Sequence, residues 1–359
     1  MKCYSAATIH VLSNIKQPIM KNRKLAVHRF LSASCLVYSV LVVTVCAQTL
    51  FDLGTCPLEN GQRIESCTVG YLTAGTLNPD KSNAVLLPTW FGGKSTDLMR
   101  YVGPDKLFDS SRYFVVIADS FGNGISSSPS NSTVQPLEKF PAVTLRDMIA
   151  AHRRLLKEKF GIEKLHAVAG ISMGAMQAIT LAADDPDVAS RFVAIAGSPK
   201  LAPYDVILWE SFARHMESFI ECNCQTPLAA WAAQRFLLRG VDHHVQATPP
   251  EKLDAARDMI AKSAMTHGQA FDRMLQVNAM LGLNAAAKTN GDMTAAAKRV
   301  GAKLMAVTGA RDYIVTPHPV RAFAKAGGAK LIDFAACDHD LPACETELQY
   351  PVVRDFLGR

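Results

Sequence analysis

The sequence predicts an α/β protein: a mostly parallel central sheet flanked by helices, with a helical cap inserted into it. Three observations carry that prediction. Apolar runs of strand length recur at Ala84–Leu87, Tyr113–Ala118, Leu165–Ala169, Phe192–Ala196, Leu304–Val307 and Leu331–Phe334. Most are continuous rather than alternating, as strands buried on both faces are. Helix-period stretches separate several of them, the order that builds parallel crossovers. From about Ser198 to Val300 the strand runs stop and amphipathic stretches replace them, at Asp205–Ile220, Leu228–Leu238 and Lys252–Ala264. The expected division is therefore a core at 48–197, a helical cap at 198–300 and the rest of the core at 301–359. A chain of 359 residues, 49% hydrophobic, is long enough to bury such a core.

The first 47 residues read differently. A basic stretch from Lys21 to Arg29 precedes the apolar run Leu31–Val45, and Val45-Cys46-Ala47 offers small residues where a signal peptidase cuts. Positive, apolar and small in that order describe a secretory signal peptide. The apolar run is shorter than the ~20 residues of a membrane span. The expected location is thus periplasmic or secreted, with membrane contact only through the leader if it stays uncleaved. Lys2, Lys16, Lys21, Arg23, Lys24 and Arg29, unopposed by any acid in that segment, account for the whole net charge of +6. Without them the protein is electrically balanced, with no basic field for nucleic acid or anionic lipid. A small molecule is the expected partner.

Six of the nine cysteines follow the leader. Cys56 and Cys67 flank a hairpin turning at Asn60-Gly61-Gln62-Arg63, which would set them opposite each other on neighbouring strands, close enough to bridge. Cys337 and Cys344 bracket a short loop, and a bridge there would clamp it. Cys222 and Cys224 with His243-His244 lack the spacing of a structural zinc site, so no metal is expected.

The next elements in order are a strand ending in the loop "LLPTWFGG" (Leu86–Gly93), a helix over Val143–Phe160, and the segment "AVAGISMGAMQA". In the last, strand Leu165–Ala169 runs into Gly170-Ile171-Ser172-Met173-Gly174 and then a helix. This is the G-x-S-x-G corner, in which glycines let strand and helix approach closely and leave the Ser172 hydroxyl exposed above the sheet. A serine nucleophile of this type needs an acid and a histidine in that chain order, each after a later strand. Asp312 follows the run Leu304–Val307, and His339 follows Leu331–Phe334, before a C-terminal helix at roughly Ala343–Leu357. His339 would take the Ser172 proton, and Asp312 would hold the imidazole tautomer and stabilise its charged form. His152, on a helix face, and His166, in a strand, read as structural. The expected oxyanion donors are the N–H of Met173 and that of Phe91, with Trp90 beside it.

These residues resemble the homoserine O-acetyltransferases of the α/β-hydrolase superfamily. "YLTAGTLNPDKSNAVLL", "DSSRYFVVIADSFGNGISSSP", "FPAVTLRDMIAAHRRLL", "GISMGAMQA", "ARDYIVTP" and "DHDLPACE" are similar to successive family blocks from Tyr71 to the C-terminus. The resemblance implies an α/β-hydrolase fold, triad roles for Ser172, Asp312 and His339, substrate contacts at Asp340 and Arg214, and a homodimer. The chain departs from the family in its oxyanion loop, where Trp90 and Phe91 would reshape the acyl pocket. No cofactor is expected. Because acetyl-CoA is cytoplasmic, an exported member is expected to be an esterase acting on a small acyl ester. The alternatives are an O-acyltransferase acting on a small alcohol and, third, a non-catalytic binding protein.

Overall fold

A computed structural model describes residues 48–358, so the leader read at residues 1–47 lies outside the described residues. The chain opens with strands β1 (Thr49–Pro57), β2 (Arg63–Ala74) and β3 (Ala84–Pro88), then helix α1 (Ser95–Leu98), β4 (Phe114–Ala118), α2 (Leu145–Phe160), β5 (Leu165–Ile171), α3 (Met173–Asp184) and β6 (Ala189–Ile195). Six helices follow without a strand: α4 (Pro203–Cys222), α5 (Gln225–Leu237), α6 (Val241–Ala247), α7 (Leu253–Ala261), α8 (His267–Leu281) and α9 (Met293–Val300). The sheet resumes with β7 (Leu304–Gly309), α10 (His318–Gly327), β8 (Lys330–Phe334) and α11 (Thr346–Gly358). None of the described helices is long and apolar enough to cross a membrane.

The eight strands form one sheet in the order β1-β2-β4-β3-β5-β6-β7-β8. β1 and β2 are antiparallel additions at one edge, and every pairing from β4 to β8 is parallel. The parallel part explains the continuous apolar runs, since helices cover both faces. One face packs on α2, α3, α9 and α10 through residues such as Met148, Met176, Ala297 and Phe323; the other packs on α1 and α11 through Leu98, Val353 and Phe356. β8, at the edge, alternates in burial instead.

Local signals set the helix ends. α2 starts where Thr144 and Asp147 satisfy each other's backbone N–H groups in a capping box, and it stops at Gly161, whose φ of 63° suits the left-handed cap. Its inward face is the one expected: Leu145, Met148, Ile149, His152, Leu155 and Leu156 are buried. Burial pushes the His152 imidazole down to about 4, so it sits neutral with Nε2 3.2 Å from the Asp119 carbonyl.

The N-terminal hairpin corrects one expectation. Cys67 pairs with Gly54 and Cys56 with Ile64, because the register shifts twice between Asp52 and Cys56. The turn is also one residue longer than expected, Leu58–Gln62. The cysteines therefore lie diagonally rather than opposite, yet their Cα atoms are 5.7 Å apart and they bridge. Bulges of this kind bend and twist an edge strand, which brings the diagonal pair into reach.

Candidate active site

Three chain crossings bring the site together at one rim of the sheet. Ser172 follows β5, Asp312 follows β7 and His339 follows β8, so each stands just beyond the C-terminal end of a parallel strand. The corner at Ser172 is sharp. Its φ of 56° and ψ of −123° are costly for a non-glycine residue, of order 1–3 kcal/mol. The surrounding structure enforces them: Ser172 N–H donates to the Ile195 carbonyl at 2.9 Å, and α3 begins at the next residue. A side chain at Gly170 would meet the Gly174 backbone, and one at Gly174 would meet the Pro88 carbonyl, so both glycines are sterically required.

The Ser172 hydroxyl lies 2.9 Å from His339 Nε2, and His339 Nδ1 lies 2.7 Å from Asp312 Oδ2. The carboxylate facing Nδ1 selects the tautomer with its proton there, leaving Nε2 to accept from the hydroxyl. Asp312 is buried, and its other oxygen, Oδ1, accepts from the N–H groups of Ile314 and Val315, each at 2.9 Å. Burial works against charge on His339, but the Asp312 charge and hydrogen bond, with Asp338 and Asp340 adding, outweigh it. The imidazole is held above its ordinary value. The loop carrying it is tied twice: Arg311 N–H donates to the Cys337 carbonyl at 3.0 Å, and Cys337 bridges Cys344 across a Cα separation of 5.8 Å.

The loop after β3 supplies the second half of the site. Among the described residues, the N–H groups of Trp90 and Phe91 donate to no protein acceptor, while those on either side are engaged. Thr89 N–H donates to the Ala118 carbonyl, and Gly92 N–H donates to Gln276 Oε1 at 2.7 Å. Met173 opens α3, so its N–H has no helical acceptor. Three free amides, of Trp90, Phe91 and Met173, thus lie on two chain segments that meet where Gly174 packs on Pro88.

Above these groups is a cavity of about 590 Å³, in the size range of small-molecule sites. Ser172, His339, Trp90, Phe91 and Asp340 all line it, and the cap contributes Trp209, Phe212 and Trp231. Phe91 packs edge-on against Trp209 at 5.0 Å between ring centres, and Trp90 packs against Tyr101 at 6.2 Å. The wall is aromatic, with arginines 100, 235 and 239 as its cations.

One candidate is misplaced. Arg214 is exposed and does not line the cavity. Trp209, Phe212, Met216 and Phe219 form the buried face of α4, and Arg214, two positions from Phe212, points to the far side. Cys222 and Cys224 lie at disulfide distance from each other, with a Cα separation of 5.2 Å.

Two residues of the site carried no signal that was read. Gln276, fully buried on α8, ties the loop after β3 to the loop after β4: Oε1 accepts from Gly92 N–H, and Nε2 donates to the Phe121 carbonyl at 2.8 Å. Its only trace in the sequence is a polar residue where helical spacing to buried Ala279 and Met280 calls for an apolar one. The other is Arg239, whose Nε lies 2.8 Å from Asp338 Oδ2. Gln276→Leu should lower kcat for ester cleavage about 10- to 100-fold with little change in KM, since a misaimed oxyanion donor matters only in the transition state. Steady-state kinetics beside a thermal melt checks this.

Comparison with known proteins agrees with this architecture. The family model described as the alpha/beta hydrolase fold matches residues 84–342. A probable esterase of Corynebacterium glutamicum is 42% identical over 170 residues, 46% of this chain and 49% of that protein. A homoserine O-acetyltransferase of Geotalea daltonii is 37% identical over 161 residues, 40% of this chain and 44% of the other. The chain spans about half the length of the curated relatives it matches. Over the whole fold, an acetylester hydrolase from Corynebacterium glutamicum superposes with a TM-score of 0.79 at 27% identity, covering 87% of this chain and 96% of that one. With the family's pattern covering β3 to β8, the corner and both later loops, this chain belongs to the alpha/beta hydrolase fold family.

Proposed function

We propose that this protein is an exported serine esterase that cleaves a small acyl ester through an acyl-Ser172 intermediate. The observation that carries the reading is the unbroken relay Ser172–His339–Asp312, with spacings of 2.9 and 2.7 Å, beside two amides that donate to nothing else. Ser172 Oγ attacks the ester carbonyl while its proton passes to His339 Nε2. Negative charge moves to the carbonyl oxygen, where the N–H groups of Met173 and Phe91 receive it. The carbon–oxygen bond to the alcohol then breaks, and His339 returns the proton to the leaving oxygen. Water repeats the sequence on the acyl-serine, giving the carboxylic acid and free serine. No step needs a cofactor.

Two further observations support the finer points. Three disulfides, Cys56–Cys67, Cys222–Cys224 and Cys337–Cys344, suit an oxidising compartment and so favour export. Asp340, which in the transferase resemblance contacts the amino-acid substrate, faces the Arg239 guanidinium at 3.8 Å instead. A carboxylate already facing a cation of the protein is less open to such a substrate, which disfavours homoserine. The likeness to an acetylester hydrolase points the same way.

The test is the fate of the acyl group. Mature protein mixed with a short-chain nitrophenyl ester and quenched early should carry one acyl group on the peptide containing Ser172. Added homoserine should leave nitrophenol release and acid formation unchanged. Rapid O-acylhomoserine formation with negligible acid would make the protein a transferase. Absence of both the acyl-serine and turnover would make it a binding protein.

A further inference from the structure

The histidine loop is built on a turn whose middle residue is His339. Asp338 Oδ1 accepts from the Asp340 N–H at 2.8 Å, closing a side-chain-to-backbone ring around the imidazole-bearing residue. The other oxygen of the same carboxylate, Oδ2, accepts from Arg239 Nε at 2.8 Å. A second nitrogen of that guanidinium, Nη2, lies 3.8 Å from Asp340 Oδ2. Arg239 thus spans the two carboxylates that flank the base, reaching down from the end of α5 in the cap. It touches neither Ser172 nor the imidazole.

We propose that Arg239 is a positioning residue for His339: by gripping Asp338 and Asp340 together it fixes the turn that aims the imidazole at Ser172, and it offsets the negative charge on either side of the base. This inference rests on the esterase reading above and assigns a residue that the triad does not include.

The geometry gives the guanidinium both tasks. Asp338 is largely buried, with 15% of its side chain exposed, and an anion so placed needs a partner. The planar fork hydrogen-bonds Asp338 through Nε while Nη2 faces Asp340 at 3.8 Å, an orientation that a single ammonium nitrogen does not reproduce, so lysine is not equivalent. The charges around His339 are Asp312 from the loop after β7, Asp338 and Asp340 on its own loop and Arg239 beside them, with Arg100 and Arg235 also on the cavity wall. His243 on α6 feels the same two aspartates. Loss of solvent, with Arg239 and His244 nearby, holds it below its ordinary value, so it does not replace the guanidinium as a cation at neutral pH. Tyr101, near Asp340, is held above its ordinary value chiefly by burial and stays neutral. Among the cavity's arginines, Arg239 is the one with ion pairs to both flanking carboxylates among the described residues.

The sign of the effect follows. His339 must be neutral to accept the serine proton, so activity rises with pH as it loses its own proton. Three carboxylates already favour the charged form. Removing the cation among them favours it further and moves the acidic limb of the pH–activity profile to higher pH.

The experiment is kcat/KM for nitrophenyl ester cleavage by the mature protein from pH 5 to 9, with thermal melts alongside. For Arg239→Gln the acidic limb should move up by about half to one pH unit, with activity at pH 6 falling several-fold further than at pH 9. Arg239→Lys should keep the limb near its original position while kcat falls, because charge is retained and the two-point grip is not. Asp340→Asn, in the otherwise unchanged protein, should move the limb the opposite way, to lower pH. That arm remains informative if Arg239→Gln folds poorly. A limb that stays put in Arg239→Gln, or a loss equal at every pH, overturns the proposal. Ser172→Ala in the same assay separates the two levels. If its turnover is undiminished, the esterase reading falls; if turnover collapses and the limb is unmoved in Arg239→Gln, only the role of Arg239 falls.

Discussion

Ser172→Ala is expected to remove about 10⁵- to 10⁶-fold of kcat for ester cleavage while leaving the protein folded. The loss is large because the hydroxyl is the only group placed to form the covalent bond, and water in its stead lacks the enforced approach. The corner supports the second half of the prediction. Alanine removes one oxygen from a side chain whose conformation is set by the backbone bond to Ile195 and by the start of α3, and neither depends on the hydroxyl. A backbone at φ 56° and ψ −123° is no easier for alanine than for serine, so stability should change by under about 1 kcal/mol. Residual activity above the uncatalysed rate should survive, since the Met173 and Phe91 amides remain to polarise a bound ester. Steady-state rates, a thermal melt and the absence of the acyl-peptide in mass spectra test all three parts. Undiminished turnover would place the chemistry elsewhere in the molecule.

The sequence showed some parts of this site plainly and hid others for physical reasons. Ser172 was legible because its job requires glycines at fixed offsets, and steric need leaves a local pattern. Asp312 and His339 were legible because a parallel sheet ends each strand at the same rim, so "the loop after the next strand" is a spatial statement. Arg239, Gln276 and the failure of Arg214 belong to another class. Each depends on how a cap helix is rotated against the sheet, which no short motif fixes. On α4 the difference between lining the cavity and facing solvent is two residues, from Phe212 to Arg214. The hairpin register was misread for a related reason: bulges at Gly54 break the period-two rule that makes partners across a turn readable.

Asp312→Asn is the second large effect, about 10⁴-fold in kcat, and it is a sharper test because it changes no shape. Asp312 Oδ1 accepts from two backbone N–H groups, at Ile314 and Val315, and an asparagine must keep its carbonyl oxygen there. The amide nitrogen is then obliged to take the place of Oδ2, 2.7 Å from His339 Nδ1. A donor now faces Nδ1, so the ring keeps its proton on Nε2, and Nε2–H points at the serine oxygen as a donor. The base has been turned into an acid without moving. The charge that held the imidazole up is gone as well, so the downward push of burial prevails and the acidic limb of the remaining activity should move to lower pH. That direction is opposite to the one expected for Arg239→Gln. Two substitutions flanking one imidazole, each removing one charge, should shift the same titration in opposite senses. A mere loosening of the site would shift neither.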